Sequence, residues 1–181
     1  MKLLRLLAAL AAAFALHADA AENLPWRFGM TPDDVRAMAD HGPYRTFENG
    51  DLETYHGVFE GHEENFQFFF QDGKLASIGV YLYEGTDAQA AGKRWLALRQ
   101  LMAARYGSLL TPDNTPPADD SLEGGASFIA HALETARRDG RAQMWPLKEP
   151  ADLNVFGRLG SGMVEDERWY FVIFKYAPPA R

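Results

Sequence analysis

Two hydrophobic runs separated by Asp72-Gly73 constrain this chain more than any other feature. A two-residue Asp-Gly loop between strand-forming residues is a strong hairpin signal, because a type I′ turn needs positive φ and glycine supplies it without strain. Before the turn, Phe66, Phe68 and Phe70 share one face and Asn65, Gln67 and Gln71 the other, with Phe69 breaking the alternation. After it, Ile78, Val80 and Leu82 alternate with Ser77, Gly79, Tyr81 and Tyr83. One apolar and one mixed face predict an antiparallel sheet covered on one side. The cover follows directly in sequence. Thr86 is placed to cap a helix, Asp87 falls in its first turn, and Ala88, Ala91, Trp95, Leu98, Met102 and Tyr106 recur at helical spacing up to Gly107.

The beginning of the chain carries a different signal. Lys2 and Arg5 precede an apolar run from Leu6 to Leu16, and Ala18-Asp19-Ala20 has the small-x-small form of a cleavage site. Residues 1–20 are therefore expected to be a signal peptide, with residues 21–177 as one α+β domain in the periplasm or outside the cell. No later run approaches membrane-spanning length, so no membrane insertion is expected after cleavage. The chain has no cysteine, which excludes a disulfide framework, a thiol nucleophile, a thiolate metal site and an acylated lipoprotein cysteine. Its formal net charge is −7, and nucleic acid or anionic lipid would demand clustered Lys and Arg instead. A basic or ammonium-bearing partner is compatible with that balance.

Toward the N-terminus, Thr31-Pro32-Asp33-Asp34-Val35 announces a helix, with Thr31 as cap, Pro32 at the first helical position and two acids at the positive end of the dipole. Val35, Met38 and Ala39 form its expected buried stripe, ended by Gly42-Pro43. The run Phe28-Gly29-Met30-Thr31, followed by Val35 and Gly42-Pro43, resembles the opening of the SmpA/OmlA (BamE) type of small exported domain. It is similar also to the repeat of the β-lactamase inhibitory protein. The resemblance covers residues 26–83 and implies a short helical segment, then an antiparallel meander ending in an aromatic hairpin. It further implies a binding role. The lack of a lipobox cysteine and of any disulfide means that neither family's anchoring nor its target carries over.

Asn49-Gly50 predicts another type I′ hairpin, Gly57 a bulge, and Glu60-Gly61-His62-Glu63 a polar turn. Residues 111–125 are rich in Pro, Asp and Gly and read as a flexible loop. A helix is expected over 126–139, and strands over 142–147, 152–159 and 168–176. Gly160-Ser161-Gly162 and Glu165-Asp166-Glu167 would link the last two strands. The final run is apolar enough for a central position. The predicted architecture is α+β, an antiparallel sheet of six or seven strands with helices packed on one face, in helix–strands–helix–strands order.

Catalytic signatures are weak. His62-Glu63-Glu64 lacks the second histidine of a helical zinc motif; His56 and His62 could meet across a hairpin beside Glu63 or Glu64, the basis for a metal-dependent hydrolase as an alternative. Gly160-Ser161-Gly162 is not a nucleophile elbow, and the acids at 119–123 and 165–167 sit in loops that do not hold a tuned acid–base pair. No catalytic residue, metal or cofactor is assigned. Tyr81, Tyr83, Trp169 and Phe171 are the candidate binding residues, on a sheet face left open to another envelope protein or a peptide. A small-ligand carrier, with its pocket between helix 86–107 and the sheet, is the remaining alternative.

Overall fold

The computed structural model describes residues 24–111, 122–135 and 141–179; the expected signal peptide and most of the expected loop at 111–125 lie outside them. Helix α1 (Pro32–Arg36) and a 3-10 turn (Ala39–His41) lead into β1 (Arg45–Thr46), β2 (Leu52–Phe59), β3 (His62–Gln71) and β4 (Lys74–Gly85). Then follow α2 (Ala88–Tyr106), β5 (Leu109–Leu110), α3 (Leu122–Thr135), β6 (Arg141–Pro146), β7 (Asn154–Val164) and β8 (Glu167–Ala177). The strands make one sheet of eight, in the order β1-β2-β3-β4-β8-β7-β6-β5, with every neighbouring pair antiparallel. The strand beyond the expected seven is β5, whose two residues are too few to leave an alternation pattern. The sheet is built from two four-strand runs, each ending on one of the two central strands, β4 and β8. The apolar run 168–176 does take a central place, hydrogen-bonded on both edges.

Turn chemistry sets the registers. Asp72 and Gly73 both take positive φ, 51° and 71°, giving the expected two-residue loop. Glu60-Gly61 and Glu165-Asp166 do the same, so His62 and Glu63 belong to β3 rather than to a turn. Gly160-Ser161-Gly162 lies within β7, not between strands. At Asn49-Gly50 only the glycine has positive φ, and the Gly50 N–H donates to the Phe47 carbonyl. That is a longer loop than the predicted type I′ pair.

The helices also differ in detail from expectation. α1 is a single turn, closed by a reciprocal Thr31–Asp34 capping box, and of the predicted stripe Val35 is fully buried while Ala39 is exposed. α2 is capped by Asp87, whose carboxylate accepts from the Gln89 and Ala90 N–H groups, rather than by Thr86. α3 starts four residues before the predicted position and runs against α2. A Cβ at Gly92 would lie 2.6 Å from the Ala126 carbonyl oxygen, so the two backbones nearly touch there.

Helix α2 lies against one alternation of the sheet, and α3 packs on α2. The Trp26 ring packs on Phe66 and Phe68, with centroids 5.1 and 4.8 Å away, and Thr54 Oγ1 donates to the His41 carbonyl. Leu52, Thr54, Phe66, Phe68, Ile78, Val80, Val172, Phe174 and Tyr176 occupy successive register positions on this side, each 2% exposed or less. Each large apolar side chain so buried contributes about 1.5–3 kcal/mol. Ala91, Trp95, Leu98 and Met102 of α2 close the other wall of this core, as their spacing predicts.

Candidate functional site

Opposite the helices, the same strands present Glu53 on β2, Asn65, Gln67 and Phe69 on β3, and Ser77, Gly79 and Tyr81 on β4. Phe171, Ile173 and Lys175 of β8 and Phe156 and Arg158 of β7 continue this face. Among the described residues no helix covers it. At the bulge between Phe69 and Phe70 the extra residue, Ala76, sits on β4, so β3 alternates unbroken: Phe69 shares the open side with Asn65 and Gln67, and Phe70 faces the core. That resolves the broken alternation at Phe69.

The second bulge, between Tyr81 and Tyr83, corrects the predicted site. Tyr83 pairs in register with the fully buried Val172, and its hydroxyl accepts the Asp87 N–H at the start of α2. Tyr83 therefore belongs to the helix side, where it anchors the helix N-terminus. Glu84 takes the open position beside Phe171. The structure brings Tyr81 and Phe171 together, with ring centroids 6.5 Å apart at 88°, and places Trp169 farther along the same face, opposite Gly162. A Cβ added at Gly162 would meet nothing within 4 Å, so the space beside Trp169 is open.

Polar groups tie these rings to the sheet. Asn65, level with Tyr81, donates from Nδ2 to Glu84 Oε2 at 2.7 Å. Arg45 donates to Glu53 at 3.1 Å; the Glu53 side chain is 4% exposed and that of Arg45 74%. Burial raises the Glu84 carboxyl above its ordinary range, the Asn65 hydrogen bond opposes that, and nearby Glu53 adds to it. Tyr81 is pushed up to about 12, chiefly by desolvation and then by Glu84, with Arg158 opposing. At the other end the Lys175 ammonium sits 4.3 Å from the Phe69 ring centre. Its burial and the nearby Arg158 lower its pKa. A groove of about 590 Å³ between the 45–51 loop and Gln67 and Phe69 extends the face toward β1. Sequence reasoning missed Glu53, Asn65, Phe69, Glu84, Arg158 and Lys175. The odd phenylalanine at 69 was the one visible signal for them.

The histidine alternative finds a modest arrangement. His56 Nδ1 lies 3.3 Å from Glu63 Oε1, both exposed, while His62 pairs with Phe59 at the hairpin end. Among the described residues no three His, Cys, Asp or Glu side chains gather as a metal-binding group. Nor is any helix among them long and apolar enough to cross a membrane. At one point of the region expected to hold a carrier pocket, between 86–107 and the sheet, packing is close. A Cβ at Gly157 would lie 2.6 Å from Met144 Cε and 3.2 Å from Leu98 Cδ2. A cavity of about 420 Å³ lies elsewhere, between Leu24, Trp26, Phe28 and Leu153. No family model, curated protein or solved structure matches the chain.

Proposed function

We propose that this chain is an exported, periplasmic binding module without catalytic activity, which holds another envelope protein or a peptide on the open face of its sheet. The observation that carries this reading is the half-buried ring group Tyr81, Phe171, Trp169 and Phe69, set among charged residues on the side away from the helices. Rigid aromatics with a polar surround suit protein recognition, since they offer large contact area at low entropic cost. The −7 net charge favours a partner with a basic surface. Cross-linking of the purified mature chain with envelope proteins tests the reading. A discrete adduct that Tyr81→Ala with Phe171→Ala abolishes supports it, and the absence of any adduct counts against it.

A small-ligand carrier is the second reading, favoured by the 420 Å³ cavity beside Trp26 and Leu153. Native mass spectrometry of freshly isolated protein checks it: a retained small molecule supports the carrier, and a bare chain mass opposes it.

A further inference from the structure

Among the described residues Glu84 is a carboxylate without a counter-ion. Asn65 occupies its Oε2, and among the described residues it makes no ion pair, whereas neighbouring Glu53 has Arg45. Asn65 itself is 4% exposed, and its Oδ1 accepts no hydrogen bond. Nδ2 and Oδ1 stem from one carbon, so this orphan acceptor lies beside the Glu84 carboxylate. Burying an acceptor without a donor is costly, and so is holding a partly desolvated charge without an opposite one. The cost falls on the spot where Tyr81 and Phe171 pair edge to face, and where Glu84 remains partly exposed.

We propose that this corner of the open face takes a basic side chain of a partner polypeptide, an alkylammonium or guanidinium group, on Glu84, which Asn65 holds in place, beside the Tyr81–Phe171 ring pair. The proposal rests on the binding-module reading and names the chemistry its partner presents. Glu84 Oε1, which Asn65 does not use, is an acceptor for a group with three or five N–H donors and no acceptor of its own. Ring faces beside it add cation–π attraction. Two cations already border the site: Arg45 is engaged by Glu53, and Arg158, across β8 beside Ile173, acts on the Tyr81 hydroxyl. Neither pairs with Glu84, so the arriving charge replaces no partner among the described residues.

The test is an NMR titration of the mature chain at constant ionic strength, following the Tyr81 and Phe171 ring signals. The probes are butylammonium and an octalysine peptide. Both are expected to shift these signals, the peptide at least tenfold more tightly. Glu84→Gln, which keeps an oxygen to accept from Asn65, should weaken both at least tenfold, and Glu63→Gln on the exposed hairpin should not. Rings that fail to respond, or that respond equally in Glu84→Gln, overturn the site. Butylammonium binding as tightly as the peptide overturns the polypeptide source. Envelope cross-links from the open face that survive Glu84→Gln would defeat the cation site and leave the binding module standing. Ring shifts without any open-face cross-link would do the reverse.

Discussion

The ring of Phe66 lies where a side chain at Gly57 would have to be: a Cβ there would fall 2.1 Å from Phe66 Cδ2. The missing side chain lets β2 kink at its bulge and lay its backbone over a fully buried ring, which in turn meets Trp26. Gly57→Ala should cost about 1–3 kcal/mol, because the displaced ring is hemmed in by core on every side. Urea unfolding measures it, and a Phe66→Leu background should recover part of the loss.

Arg105, near the end of α2, joins the helix to the β2–β3 turn. Its guanidinium pairs with Glu60, lies 5.7 Å from the Phe59 ring centre, and has a side chain only 11% exposed. Arg105→Ala should destabilise the fold by about 2 kcal/mol, less than the loss of a fully buried pair since Glu60 is partly solvated. Arg36→Ala, which removes an exposed pair with Asp33, should cost under about 0.5 kcal/mol. Thermal unfolding of the two variants under identical conditions gives the comparison.

Glu84 makes stability depend on pH in a definite direction. Its folded-state pKa is raised above the ordinary 4.5 by burial. The stability contributed by its protonated form is therefore complete below the ordinary value and is lost as pH rises through the folded value. Glu84→Gln should then be more stable than the parent at pH 7, by on the order of 0.5 kcal/mol after solvent screening. The difference should vanish near pH 4. Urea midpoints at the two pH values check both sign and window. A charge kept at the expense of stability is what a binding site, rather than a structural pair, would show.

What could be read from the sequence and what could not divide along physical lines. The Asp72-Gly73 hairpin, the buried stripe of 88–102 and the central apolar strand were legible because backbone conformation and periodicity are local properties. The fate of Tyr83 was not. A bulge inserts one residue without a composition signature, and every side chain beyond it changes face, so Tyr83 joined the core and Glu84 the open side. The cap moved from Thr86 to Asp87 because both are capping residues and only tertiary contact, here the Tyr83 hydroxyl on the Asp87 N–H, selects between them. The Asn65–Glu84 bond joins residues 19 apart whose pairing depends on that same bulge, beyond the reach of spacing rules.

The proposed partner meets the sheet on the side away from the helices. A photoreactive phenylalanine at Phe171, compared with one at Gln100 on the exposed surface of α2, tests this placement most directly in an envelope extract. One discrete adduct is expected from position 171 and none from position 100. An adduct from 100 alone, or from neither, would contradict it.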